Sequence, residues 1–231
     1  MIRSLLFAGL LAASGAAQAQ SPAALGASPT GQPTAFQVTG LAYAVDGYGK
    51  AKWGMTTVQA SAQIAADFPG AKIDPPVEDP VLRTTLIVAH LPKLAPGPGP
   101  AAVSYIFGWR SKGLMHVNVD WSFDHAVAAD RATLTEAAKA VVADFISYYW
   151  KFLSVERGIA VGPNALSLFG AAGVKGGLVE VRLQGVGYQL IRPDGSRADL
   201  PPPSDGVPAI LHIGFAQSAT PDIYRIQPGD F

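Results

Sequence analysis

Strict alternation of apolar and polar side chains constrains this chain more than any other feature. In residues 178–184, Val179, Val181 and Leu183 alternate with Glu180, Arg182 and Gln184. Successive side chains on a strand point to opposite faces, so the segment reads as an antiparallel strand with one face on a core and one in water. Residues 103–110 and 114–121 carry the same period and are separated by Ser111-Lys112-Gly113, which suits a type I turn closed by a left-handed glycine. That loop pairs Trp109 with Met115, Phe107 with Val117, Tyr105 with Val119 and Val103 with Trp121, gathering the large apolar groups on one face. A slip of one residue would set Phe107 against His116 and mix the faces. Ser104, Ile106, Gly108, His116, Asn118 and Asp120 are then left on the other side.

Two helices punctuate the strands. Thr56-Thr57-Val58-Gln59 has capping-box spacing, Val58, Ala62, Ala65 and Ala66 form a thin apolar stripe, and Pro69-Gly70 stops the element. Thr133-Leu134-Thr135-Glu136 repeats the box, followed by Leu134, Ala138, Val141, Phe145, Tyr148 and Phe152 at helical spacing, which predicts a long helix from Leu134 to Phe152. Further strands are expected at 40–45, 82–91, 188–192, 209–216 and 223–227, with Pro-rich loops at 94–100 and 200–208 and a Gly-rich loop over 162–177. Hairpins dominate and no strand–helix–strand alternation recurs. The fold class is therefore α+β: antiparallel sheet packed by one short and one long helix, in a single domain over 36–231. Its halves, 36–122 and 130–231, each run helix then hairpin sheet, the order that an internal duplication would leave.

Composition bounds the function. Forty-nine per cent of the 231 residues are hydrophobic and 15% are charged, enough apolar side chain to bury a core. Seventeen basic and 17 acidic residues leave no positive surplus, which argues against a nucleic-acid partner. With no cysteine there is no disulfide, no thiolate metal site and no acylated N-terminal Cys.

Met1-Ile2-Arg3, an apolar stretch over 4–16 and Ala17-Gln18-Ala19 make the three parts of a cleavable secretory signal, with the cut expected between Ala19 and Gln20. Residues 20–35 read as a flexible leader. The mature chain is expected in the periplasm, without an integral membrane segment. Nucleotide motifs lose weight there, and none is complete. Lys175 in the 170–177 glycine run is not followed by Ser or Thr, and Gly185-Val186-Gly187 lacks a third glycine, with Leu190 in its place.

His116, Asn118 and Asp120 are the most distinctive local pattern. On a strand they share one face at steps of about 6.8 Å, too far apart to chelate as neighbours, so no metal and no cofactor is expected. His212 stands opposite the Leu211, Ile213 and Phe215 face. If the sheet is continuous, it would join His116, Glu180, Arg182 and Gln184 in a polar platform suited to a protein partner. Trp109 and Arg110 at the hairpin tip are candidate rim anchors. No nucleophile elbow and no His-Glu-x-x-His occurs. The expectation is a non-enzymatic binding or envelope-accessory protein using Trp109, Arg110, His116, Asn118 and Asp120, with an envelope protein as partner. The alternatives are an apolar carrier with a pocket between the long helix and the sheet, and a hydrolase in which Asp120, Glu180 and His212 converge.

Trp53-Gly54-Met55-Thr56-Thr57-Val58-Gln59, followed by Tyr105-Ile106-Phe107-Gly108 and the hairpin to Leu114, resembles the helix opening and Tyr-x-Phe hairpin of small exported α+β modules. These are the outer-membrane assembly lipoproteins of the SmpA/OmlA (BamE-like) type and the β-lactamase inhibitor protein fold. The resemblance covers residues 48–122. It implies a scaffold or inhibitor role and carries over no binding residue. The chain departs from those lipoproteins in having no N-terminal Cys, and in Asp67-Phe68-Pro69-Gly70 where they have Leu-Gly-x-Pro.

Overall fold

The computed structural model describes residues 41–225 apart from 152, 192 and 193. The signal segment 1–19, the leader 20–35, Phe152 and residues 226–227 of the last expected strand lie outside the described residues. In chain order the elements are β1 (Gly47–Tyr48), β2 (Ala51–Lys52), α1 (Thr57–Asp67), β3 (Lys72–Ile73), β4 (Val77–Glu78), β5 (Thr85–Leu91), β6 (Ala101–Phe107) and β7 (Leu114–Phe123). They continue with α2 (Ala128–Ile146), β8 (Ile159–Gly162), β9 (Ala165–Ala172), β10 (Leu178–Gln184), β11 (Tyr188–Ile191), β12 (Arg197–Leu200) and β13 (Ala209–Ala216). This is a mixed α+β fold, mostly antiparallel sheet with two helices. One nine-stranded sheet runs β3-β5-β6-β7-β13-β10-β9-β8, with β4 also pairing β5; β1–β2 and β11–β12 are small separate ladders.

Alternation decides which face of the sheet is buried. Val103, Tyr105, Phe107, Val117, Val119, Trp121, Val179, Val181, Leu183, Leu211, Ile213 and Phe215 all enter the core. From α2, Leu134, Ala138, Val141 and Phe145 join the same cluster, and the Phe145 ring stacks on Phe169 of β9 at 5.7 Å between centroids. Each large side chain so buried contributes about 1.5–3 kcal/mol. The opposite face keeps His116, Asn118, Asp120, Glu180, Arg182 and His212 half-buried.

Several expectations are corrected. The β6–β7 faces are as anticipated, but the register is slipped by a whole pleat: Tyr105 faces Val117, Val103 faces Val119 and Ala102 faces Asp120. A bulge after Ile106 sets Phe107 against Leu114, and the connection runs from 108 to 113. Asp222 causes this. Its carboxylate accepts from the Ser111 amide at 2.8 Å and the Arg110 amide at 3.1 Å, and its carbonyl accepts from Trp109 N at 2.8 Å. These bonds draw 109–111 out of the ladder. Parity survives because a whole pleat preserves every side chain's face.

The long helix begins earlier and ends earlier than its spacing predicts. Asp130 accepts from the Val127 amide at 2.9 Å and so closes the N-terminus, whereas the Thr133 hydroxyl is inside the helix, donating to Ala129 O at 2.8 Å. At the other end Ser147 Oγ donates to Asp144 O at 2.6 Å. The chain then turns so that Trp150 can donate to Phe145 O at 2.7 Å and stack on Tyr43, with centroids 4.7 Å apart. Residues 147–151 are therefore not helical.

In α1 the Thr56–Gln59 capping box forms as read, but the buried residues are Ala60 and Ile64. Val58 is 80% exposed, and Ala62, Ala65 and Ala66 also face out. Alanine gains little by burial, so one Ile sets the inward face more strongly than a row of Ala. Residues 162–177 are not a continuous loop, since β9 occupies the middle of that span. Of the expected 40–45 strand, Gly40 lies outside the described residues and 41–45 make only an isolated bridge, between Ala42 and Tyr149; the 82–91 strand starts at Thr85, and 223–225 form no strand.

Candidate functional site

The polar face is ordered by three neighbouring strands. Reading across β10, β13 and β7, Leu178 lies beside Ala216 and His116, Glu180 beside Gly214 and Asn118, and Arg182 beside His212 and Asp120. His116, Asn118, Asp120, Glu180, Arg182 and His212 therefore share one continuous surface. Asp120 and His212 are joined directly, with His212 Nδ1 and Asp120 Oδ1 2.7 Å apart. A carboxylate only accepts, so His212 donates from Nδ1 and its Nε2 faces away from Asp120.

Gly214 lies under this group and is itself buried. A Cβ there would stand 3.1 Å from His212 Nε2, 3.6 Å from Asn118 Oδ1 and 3.7 Å from His116 Nε2. The two imidazoles and the amide thus gather around Gly214, where a side chain would press on the His212 ring. Asn118 Oδ1 is buried beside the His116 imidazole, from which it would accept a hydrogen bond when that ring is protonated. Burial pulls the pKa of His116 below its ordinary value, and the charge of a protonated His212 would add to the effect; the Asn118 amide and Glu180 act the other way. Neutral imidazole is thus the favoured state of His116.

These residues floor a concavity of about 750 Å³. Small residues of β9 and β13 (Gly170, Ala172, Gly214, Ala216) deepen it, and Ser154, Glu156, Ser218 and Pro221 stand at its rim. Glu180 and Glu156 bring negative charge, and no Lys or Arg lines it. Arg182 is turned to Glu180, donating to Oε1 from its terminal nitrogen at 2.6 Å and from Nε at 3.1 Å. Two of the serines lining it donate to backbone carbonyls, Ser154 to Lys151 O at 2.6 Å and Ser218 to Thr220 O at 2.8 Å, and Ser167 lines it as well. Among the described residues no three His, Cys, Asp or Glu side chains are grouped to hold a metal ion.

Of the expected site residues, His116 and Asn118 line the concavity and Asp120 supports it through His212. Trp109 and Arg110 do not line it. Trp109 packs edge-on against Tyr224 at 5.1 Å, and the Arg110 guanidinium lies 4.7 Å over the Trp109 ring. Gly214 and Glu156 went unrecognised in the sequence. The His-x-Gly step in β13, matching His-x-Asn in β7, is the trace that Gly214 leaves there.

A second hollow of about 450 Å³ lies between α2 and the β9–β10 hairpin, lined by apolar Val142, Ile146, Leu166, Leu168, Leu183 and Val186. Among the described residues no helix is long and apolar enough to cross a membrane. No protein-family model, curated protein or solved structure matches this chain.

Proposed function

We propose that this chain is an exported, non-enzymatic binding protein that engages an envelope partner through the polar face of its sheet. The observation carrying this reading is the convergence of His116, Asn118 and His212 over Gly214 in a concavity with an acidic lining. The Asp120–His212 pair has the orientation of a general base, but none of the hydrogen bonds described brings a hydroxyl to His212. Ordered polar groups with Ser154 and Ser218 turned to backbone carbonyls suit recognition better than turnover. Export rests on the three-part N-terminal pattern and the periplasmic address it implies, and the likeness to small exported scaffold modules points the same way.

We read the halves 36–122 and 130–231 as a duplication whose seam is the β7–β13 pair. Leu114, Met115, Val117 and Val119 fall on Ile210, Leu211, Ile213 and Phe215, and His116 falls on His212, while Asn118 against Gly214 and Asp120 against Ala216 depart from the match. The register then relates the His116–Ala216 and Asp120–His212 pairs by a local two-fold through Asn118 and Gly214.

A photo-crosslinking amino acid at position 104 or 122, both on the polar face, tests the reading in the native cell. Adducts are expected from these positions and not from 58, on the exposed side of α1. Equal yields from all three would refute a dedicated face. N-terminal sequencing of the mature protein should begin at Gln20.

The apolar hollow beside α2 favours one second reading, a carrier of a small apolar molecule. Native mass spectrometry of protein purified from its own cells would show a copurifying mass; a bare chain would dismiss it.

A further inference from the structure

We propose that strand β8 is the contact between two copies of this chain, laid edge to edge and antiparallel across a two-fold axis. The inference goes beyond the polar-face reading and does not depend on it.

The two edges of the nine-stranded sheet differ. At one edge β3 and β4 are short, carry Lys72 and Glu78, and are separated by Asp74-Pro75-Pro76. Brevity, charge and proline are the devices that keep a sheet from adding a further strand. At the other edge β8 pairs only with β9. No charged residue occurs between Arg157 and Lys175, and Pro163 comes only after the strand. This edge is short, but neither charge nor proline guards it.

The same edge is apolar. Ile159 and Val161 are 43% and 48% exposed, and Leu153 and Val155 on the approach to β8 are exposed as well. Backbone bonds hold that approach beside β9, with Lys151 N donating to Ala172 O at 2.9 Å and Glu156 N to Gly170 O at 2.7 Å. On the helix side the exposed Ile146 lines the apolar hollow together with Leu166 and Leu168 of β9. A second strand laid here would satisfy outward N–H and C=O groups and cover branched side chains at once.

The strand itself specifies what covers it. Gly158-Ile159-Ala160-Val161-Gly162 reads the same in side-chain size from either end. Laid antiparallel on its own copy about Ala160, it sets Ile159 against Val161 twice, Ala160 against itself, and glycine against glycine. Directly opposed β-branched pairs are favourable, and a two-fold contact requires such self-complementarity. The pairing of β8 with β9 skips Val161 at a bulge, and a bulged residue is left unpaired in its own ladder. Its backbone groups are therefore open to the second copy. Seventeen acidic residues balance 17 basic ones, so no net repulsion keeps two copies apart.

The test is sedimentation equilibrium of the mature protein. Wild type should show a reversible monomer–dimer equilibrium, and a monomer persisting at about 100 μM would overturn the proposal. Ile159→Lys/Val161→Lys should weaken the dimer about tenfold or more, because lysines then face each other twice. Ile159→Asp/Val161→Asp should do the same for the same reason. An equimolar mixture of these two variants should recover a dimer holding one of each, since every lysine then meets an aspartate. A dimer untouched by either double variant, or no recovery on mixing, would overturn the pairing. Should the charged variants fail to fold by circular dichroism, Ala160→Cys decides alone, for the chain has no other thiol. The two-fold places that residue opposite its own copy, within the Cα separation of about 4.4–6.8 Å that a disulfide spans. With diamide as oxidant it should link into a dimer at least about tenfold faster than Val58→Cys on α1. Equal rates from the two positions would overturn the proposal.

Discussion

Asn118 and Gly214 face each other across the β7–β13 pairing, and the missing side chain of one makes room for the groups gathered around the other. Gly214 has no left-handed backbone angle, so an alanine there meets no conformational barrier. Its Cβ would touch the far end of the His212 ring at 3.1 Å. Gly214→Ala should therefore leave stability within about 1 kcal/mol of wild type in urea unfolding. It should still displace the His212 imidazole, read as a changed ¹⁵N shift at Nε2. An unchanged ring signal would mean that the imidazole does not lean on this position.

Arg131 is buried and donates to the carbonyls of Gly185, Ala126, Ser204 and Val207, the last three at 3.1, 3.1 and 3.0 Å. It ties α2 to the loop before β13. Arg131→Met keeps the stem and deletes every donor, and buried carbonyls without donors cost about 1–3 kcal/mol each. A loss of about 3 kcal/mol or more is expected in chemical denaturation. A loss below 1 kcal/mol would show that water replaces the guanidinium.

Tyr105 presents the reverse case. The side chain is fully buried, its hydroxyl has no partner, and burial pushes its pKa well above the usual tyrosine value. Removing an unsatisfied buried hydroxyl removes a desolvation cost. Tyr105→Phe should be neutral or stabilising by about 1 kcal/mol, measured as a rise in Tm. A clear fall in Tm would reveal a hidden partner for the hydroxyl.

His116 sets a pH dependence whose sign is fixed. Its pKa in the fold lies below the unfolded value of 6.5, so the unfolded chain takes up the proton first. Stability is fully present above that pH and declines as pH falls from about 6.5 toward the folded pKa, where the decline ends. His116→Gln should flatten the stability profile in this window. Asp222 acts lower on the scale. Its carboxyl is held below 3.8, chiefly by the backbone N–H of Ser111, so its contribution is lost only as pH falls below about 4. A wild-type profile with no slope just below about pH 6.5 would count against the burial of His116.

What could be read in advance was local periodicity. The faces of β6, β7, β10 and β13 follow from every second residue, because a sheet with one wet side leaves no other solution for Val179-Glu180-Val181-Arg182. The register of β6 on β7 was not legible. It depends on Asp222, far along the chain, outbidding the hairpin for the amides of 110 and 111. Strand β9 was hidden by its own composition: Gly170, Ala171 and Ala172 look like loop residues until β10 and the polar concavity are set beside them. For the site, His116, Asn118 and Asp120 stood out by spacing. Their meeting with His212 required the order of the strands, which no local pattern encodes.

Because β7 and β13 supply the histidines from widely separated stretches of the sequence, neither stretch owns the recognition surface by itself. A fragment ending after β7 would carry Asn118 without its glycine, and a fragment beginning at α2 the glycine without its amide. Two such fragments mixed together, or two copies exchanging these strands, would restore the surface, so complementation between halves would report on the integrity of that central seam.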